Sequence, residues 1–234
     1  MFVTFATTLY NEELNILRIR EFYTKIDSAE TSCKFIFVDN NSTDNTYQKL
    51  LNEFKNLSNV KIVRNKTSRG YGDGFRRIIQ ETESPYVLIY PGDFQFDQDE
   101  IFRFLSLWRE KYKDVSHCSY FSVRRRLDGI YSGLRGLTWR LLLCAMFRIP
   151  FRLDPASQLR ILCIDCIPET SSSDFTVDIE IVKKMQIRHG AGKMLSSTVN
   201  FTPRLDGKSS IEKGLLITEL RVAMAAIKLR RKLL

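Results

Sequence analysis

Along the first half of the chain, short apolar and β-branched runs alternate with segments whose apolar residues recur at helical spacing. Phe2 to Thr8 reads as an opening strand. Asn11 can cap the helix that follows, with Glu12 and Glu13 in its positive first turn and Leu14, Leu17, Phe22 and Ile26 near one face. Lys34 to Val38 is a second strand and ends in the polar loop Asp39 to Asp44. Tyr47, Leu50, Leu51 and Phe54 then fall at i, i+3, i+4 and i+7, the spacing of a core-facing stripe. Val60 to Val63 makes a third strand, before a helix buried through Phe75, Ile78 and Ile79. Tyr86 to Tyr90 makes a fourth strand, before a helix with Ile101, Leu105 and Trp108 inward. Such alternation with short loops predicts an α/β fold, a mostly parallel sheet with helices on its faces and right-handed crossovers.

The second half is less regular. Val115 to Val123 reads as a strand, with Arg124, Arg125 and Arg126 on the loop after it. Gly133 to Phe147 reads as an amphipathic helix, Ile161 to Ile164 as a strand, Asp174 to Ile187 as a helix and Lys193 to Thr202 as a final strand. After a basic turn at Pro203 to Ser210, Ser209 and Glu212 have capping-box spacing for a last helix, apolar at Leu216, Leu220, Ala223 and Ile227 and closed by Lys228, Arg230, Arg231 and Lys232. Its basic end suits an anionic bilayer and equally suits a helix docked on the domain. The division expected is a main domain over 1–210 and a basic amphipathic helix over 211–234. The sequence has no internal repeat and no low-complexity tract.

Composition narrows the partners. With 234 residues, 44% of them hydrophobic, the chain can build one sizeable core. Five irregularly spaced cysteines fit buried thiols in a reducing compartment. Cys163 and Cys166 form a lone CxxC, read as two strand cysteines because zinc would need ligands that two histidines do not supply. The start lacks the pattern of a signal peptide, and Leu134 to Phe151 is broken by Arg135, Arg140 and Arg148, so no span is expected. The expected location is cytoplasmic, with peripheral membrane contact allowed. A net charge of +9 calls for an anionic partner. Nucleic acid ranks low, since aromatic residues are not interleaved with a basic stripe.

Candidate chemistry gathers at strand ends, where open α/β sheets place their ligands. The run YVLIYPGDFQFD carries a strand into a Pro-Gly turn bearing Asp93, Gln95 and Asp97. Tyr10 to Glu12, Asp39 and Asp93 each follow a strand directly and can converge on one crevice. Arg69 to Gly74 is rich in glycine, which points to close backbone approach, but its spacing is a weak phosphate-loop signal. The three arginines suit either a solvated patch or diphosphate oxygens. A nucleotidyltransferase is disfavoured because no glycine-rich basic loop follows the first strand.

Taken in order, LYNEELNI at Leu9, FIFVDNNSTDNT at Phe35, RNKTSRGYGDGF at Arg64, YPGDFQFD at Tyr90, RRRLDG at Arg124, LDPASQLRI at Leu153, FTVDIE at Phe175 and PRLDGKSS at Pro203 resemble the family 2 glycosyltransferases, and within them the polyprenyl-phosphate sugar transferases such as those of dolichol phosphate. The resemblance implies a GT-A fold and transfer of a sugar from a GDP- or UDP-sugar to an acceptor, a polyprenyl or dolichyl phosphate at a membrane surface. It implies that Thr8, Tyr10, Glu12 and Asp39 hold the base and ribose, that Asp93 and Gln95 hold Mg2+ or Mn2+, and that Arg160 neutralises phosphate beside Asp154. Arg124, Arg126, Asp178 and Lys208 are the expected phosphate and acceptor contacts, and Asp154 or Asp178 would serve as base for a hydroxyl acceptor. Three positions depart from the family pattern. Pro91 replaces the first aspartate of the metal-binding DxD, Asn40 replaces an aspartate after Asp39, and Val123 stands where an arginine is usual, unless Arg124 is shifted into that place. A weakened metal site, completed by Asp97 or by the diphosphate itself, is one consequence, and a sugar-nucleotide or membrane-binding protein without catalysis is the alternative. Transfer to a glycan hydroxyl is another.

Overall fold

The computed structural model describes residues 3–29, 33–112, 119–127, 129–202 and 215–233. The expected strand start at Val115, Asp128, the turn with Lys208 and the Ser209 to Glu212 capping box lie outside them. The order is β1 (Val3–Leu9), α1 (Ile16–Ala29), β2 (Lys34–Asp39), α2 (Thr46–Phe54), β3 (Val60–Arg64), α3 (Tyr71–Glu81), β4 (Tyr86–Ile89), α4 (Gln98–Tyr112), β5 (Ser119–Arg126), α5 (Ile130–Phe147), β6 (Arg160–Cys163), α6 (Thr176–His189), β7 (Met194–Phe201) and α7 (Leu215–Leu233).

These strands form a single sheet in the order β3-β2-β1-β4-β6-β5-β7. The first four are parallel, as the alternation predicts. β6 runs antiparallel to both β4 and β5, and β7 lies parallel to β5. β1, β2 and β4 are buried on both faces, which is why they read as near-continuous apolar runs instead of alternating ones. Aromatic residues fill the space under the helices: Phe5 stacks on Phe35 at 5.4 Å, and Phe22 meets Tyr90 edge-on at 4.9 Å. Cys33, Cys144, Cys163 and Cys166 are buried and in no disulfide bond among the described residues. Cys166 lies in a single 3-10 turn after β6, where a strand was expected.

Four local expectations change. Asn11 does not cap α1; it takes a left-handed φ of 55°, and its Oδ1 accepts from the Thr43 amide at 2.9 Å, binding the two loops after β1 and β2 together. Arg124, Arg125 and Arg126 are strand residues, opposite Val199, Asn200 and Phe201 of β7. Among the described side chains of α7, Ala226 and Leu229 are buried, while Ile227, expected on the buried stripe, is exposed; Leu216 and Leu220 lie outside them. α5 is not amphipathic: its inner face buries Leu143, Cys144 and Phe147, yet its outer face is also apolar.

The glycine loop before α3 approaches protein backbone. The Gly72 amide donates to the Ser173 carbonyl at 2.7 Å, and a Cβ at Gly72 would stand 2.1 Å from the Ser172 carbonyl oxygen. Two backbones cannot yield as a side chain can. Gly72→Ala is therefore expected to cost about 2–3 kcal/mol, the upper part of the overpacking range, read as a lower urea midpoint with an unchanged slope. Equal midpoints for the two proteins would show that the loops part freely.

Candidate active site

The topology brings the candidate side chains to one edge of the sheet. β1, β2 and β4 end there, and because Arg160, the first residue of β6, pairs with Ile89, the last of β4, antiparallel β6 begins at the same edge. β5 is antiparallel to β6, so its end, with Arg124 and Arg126, returns there too. The Thr202 amide then donates to the Gln95 carbonyl at 2.8 Å, tying the end of β7 to the turn that carries Asp93.

On the β1–β2 side, Asp39 is fully buried, with Arg64 Nε 3.1 Å from its Oδ2 and the Ser42 amide donating to Oδ1 at 3.3 Å. The Arg64 guanidinium lies over the Tyr47 ring at 4.8 Å. Thr8 is half-buried, against Gly74, where a Cβ would come within 2.6 Å of its methyl group. Tyr10 is 47% exposed, leaving its ring open for stacking. The Glu12 amide donates to Thr46 Oγ1, and its carboxylate accepts from Asn15 Nδ2 at 2.6 Å.

On β4, Gly92 lets the turn lean over β1: a Cβ there would lie 2.3 Å from Leu9 Cδ2. Phe94, at φ 52°, reverses the chain, and the half-buried Asp93 accepts the Gln95 amide at 3.3 Å. Asp97 caps α4 by accepting the Asp99 amide at 2.9 Å. Among the described residues no three His, Cys, Asp or Glu side chains come together as a metal site. One carboxylate and one amide still suit Mg2+ or Mn2+, which prefer oxygen ligands and complete their shell with substrate phosphates and water. Asp93 and Gln95 thus fit an ion that arrives with a diphosphate and do not fit one held by protein alone.

Beyond β4, Arg124 and Asp154 form a two-pronged ion pair at 2.8 and 3.1 Å, and Arg160 and Asp178 a fully buried one at 2.6 Å. Arg160 also donates to the Ser157 carbonyl at 2.6 Å. Burial works to raise the Asp154 carboxyl, but Arg124 and the amide of Ala156 hold it below the usual range, so it stays ionised. Asp178 goes the other way: burial pushes it up to about 6 against the pull of Arg160 and Arg124. Tyr71 joins this cluster, its hydroxyl pushed up by burial and then by Asp178.

A cavity of about 50 Å3 opens beside these pairs, lined by Arg124, Arg126, Arg140 and Asp154 with Gly133, Gly136 and Leu137. Gly136 is small for a reason, since a Cβ there would meet Arg126 Cδ at 2.7 Å. Arg126 lies over the Phe201 ring at 4.9 Å. Arg140 Nε is buried without a hydrogen-bond partner among the described residues. The sequence reading used Arg140 only as an interruption of an apolar stretch. Its position five residues after Arg135 on a helix gives no sign of which arginine turns inward, and Tyr71 likewise reads as part of a glycine loop. Lys208 lies outside the described residues.

A sequence profile described as Glycosyl transferase family 2 matches residues 4–167. Comparison with curated protein sequences finds no match. Among solved structures, the chain is similar to glucosyl-3-phosphoglycerate synthase from Mycobacterium tuberculosis in complex with Mn2+, uridine diphosphate and glucosyl-3-phosphoglycerate, at TM-score 0.72 and 16% identity, covering 98% of this chain and 79% of that one. The same enzyme with Mg2+ and uridine diphosphate gives 0.69 and 15%, with the same coverage. A further mycobacterial protein gives 0.73 and 14%, covering 98% and 74%. At such identities the likeness shows the fold, a GT-A arrangement.

The raised Asp178 has a consequence for stability. A carboxyl whose folded pKa lies above its unfolded value favours the fold in acid, and that contribution is lost as pH rises from 3.8 through about 6. The stability of the wild type relative to Asp178→Asn, which keeps an oxygen for Arg160, is expected to fall across this window and stay level above it, in urea titrations at a series of pH values. Parallel curves would mean that Asp178 does not titrate there.

Proposed function

Because the chain belongs to the glycosyl transferase family 2, we propose that it moves a sugar from a nucleoside diphosphate sugar to an acceptor bearing a phosphate group, a polyprenyl or dolichyl phosphate being the acceptor of first choice. The observation that carries this reading is the arginine-lined cavity at Arg124, Arg126 and Arg140, on the same sheet edge as the Asp93 turn. Thr8, Tyr10, Glu12 and Asp39 hold base and ribose, with Tyr10 stacking and the carboxylates accepting from hydroxyls. Asp93 and Gln95 hold Mg2+ or Mn2+, which when bound offsets charge on the diphosphate. The similarity to structures in complex with Mn2+ or Mg2+ and uridine diphosphate supports a divalent ion and makes a UDP-sugar the first donor to test.

Breaking the anomeric bond leaves negative charge on the departing diphosphate, so cations fixed in advance do the most useful work. Arg160, expected to neutralise phosphate, is fully buried with its charge balanced by Asp178 and its guanidinium bonded to the Ser157 carbonyl, so its part is to fix the start of β6 beside the site. Arg124, kept in place by Asp154, and Arg126 and Arg140 hold the acceptor phosphate. A phosphate oxygen is already anionic at neutral pH and needs no strong base. A glycan hydroxyl is the second reading; of the two expected bases, Asp154 lines the cavity while Asp178 is buried against Arg160, so the reading would draw on Asp154.

The test is release of nucleoside diphosphate from UDP- and GDP-sugars with Mg2+ or Mn2+, using undecaprenyl phosphate, 3-phosphoglycerate or an unphosphorylated glycan as acceptor. The first two acceptors separate a lipid-borne phosphate from a water-soluble one. Release should depend on a phosphate acceptor, fall by about two orders of magnitude in Asp93→Ala, and show a KM for acceptor raised about tenfold in Arg140→Ala, the loss of one charge-assisted contact. Release supported by the glycan alone would move the second reading to first place. A nucleotide that binds but never turns over would leave a binding protein.

A further inference from the structure

Among the described residues, eight of the fourteen large apolar side chains that stand exposed lie within residues 127–151, so exposure is concentrated on α5 and its ends. Ile130, Leu134, Leu137 and Leu141 follow one another at intervals of four, three and four along a single stripe of the helix, with Tyr131 and Leu142 beside it. Their exposures run from 41% to 91%. The opposite face is already spent on the core through Leu143, Cys144 and Phe147. A helix apolar on both faces is normally covered on both.

Charge selects what covers the outer face. α5 contains no acidic residue, and Arg135 is exposed at the margin of the stripe. Arg125 before the helix and Arg148 after it are exposed too. α7 packs against α5, and its exposed Lys228, Arg230, Arg231 and Lys232 add four cations. A second copy docking by the same face would set these cations against their own counterparts with no carboxylate on α5 to separate them. An anionic lipid surface takes up both the leucines and the cations. Among the described residues no helix is long and apolar enough to cross a membrane, and Arg135 and Arg140 interrupt α5, so the helix lies in the interface and does not span it.

We propose that the outer face of α5 is a docking surface for an anionic bilayer, with the basic end of α7 beside it. This is a different surface from the last helix alone, and it does not depend on sugar transfer. It would, however, bring the arginine cavity to the membrane, because Gly133, Gly136, Leu137 and Arg140 of the same helix line that cavity.

Flotation of the full chain with vesicles tests this, using phosphatidylcholine alone and phosphatidylcholine mixed with phosphatidylserine, in the absence of any nucleotide sugar. Binding is expected on the mixed vesicles, weaker in high salt, and about tenfold or more weaker for Leu134→Asp/Leu141→Asp, neither of which lines the cavity. Circular dichroism and the urea midpoint check that the variant folds. Binding unchanged in that variant but lost when Arg230 and Arg231 are made Glu would assign the surface to α7 and overturn the proposal. No binding to either vesicle, with a dimer that the double variant makes monomeric, would overturn it in favour of a second copy. Diphosphate release on 3-phosphoglycerate, assayed separately, keeps failure here apart from failure of the transferase reading.

Discussion

The buried pair of Arg160 and Asp178 is the constraint on which the site is hung. Neither residue reaches solvent, and the carboxyl is pushed up to about 6, so burial costs more than the guanidinium returns. Its value is positional: it fixes α6 to the middle of the sheet. From α6, Glu180 accepts the amides of Ser171 and Ser172 at 3.1 and 2.9 Å and, for all its burial, is held down to about 2 by Lys184 and those amides. The loop so held gives the Ser173 carbonyl to Gly72 and the Ser172 carbonyl to Arg76. Gly70 in turn accepts from Asn40, next to Asp39. Hydrogen bonds joined by short backbone steps thus run from the expected phosphate arginine to the expected nucleotide aspartate, two places separated by about half of the chain.

The distribution of charge follows from the same packing. Arg160, Asp178, Arg124 and Asp154 pair off and contribute no net charge between them. Beside them the cavity is lined by Arg126, laid on an aromatic ring, and Arg140, with a buried Nε lacking a partner among the described residues. A basic sequence does not by itself make a basic site. Here most of the excess sits instead on exposed positions around α5 and at the end of α7.

The strand and helix alternation up to α4 was legible because β1, β2 and β4 are buried on both faces, the edge strand β3 is a short β-branched run, and the helices show one-sided stripes. Asp39 and Asp93 were legible because they end such strands. What the sequence could not show is which segments meet. Nothing local in Gly70 to Gly74 says that its neighbour is the backbone at Ser172 and not a phosphate. Arg124 to Arg126 read as loop because charge is rare in strands, yet an edge pairing with β7 tolerates it. The face of α5 was lost for a related reason: when both sides of a helix are apolar, periodicity cannot tell the covered side from the open one.

Two departures from the family pattern change meaning in their surroundings. Asn40 donates through Nδ2 to the Gly70 carbonyl at 2.9 Å and accepts through Oδ1 from Asn65 at 2.8 Å. A carboxylate could accept from Asn65 but could not donate to Gly70, and an ionised group buried to this degree without a cation would be costly. The amide is therefore what allows the glycine loop to be tied to the end of β2. Pro91 follows Tyr90, whose amide makes the last bond of its strand to the Ala6 carbonyl. Lacking an N–H, Pro91 stops the ladder there and sends the chain into the turn that presents Asp93. It removes a carboxylate while fixing the place of the one that remains. The ion this site suits is accordingly one whose remaining oxygens come from the diphosphate, which would make metal and nucleotide bind as a unit.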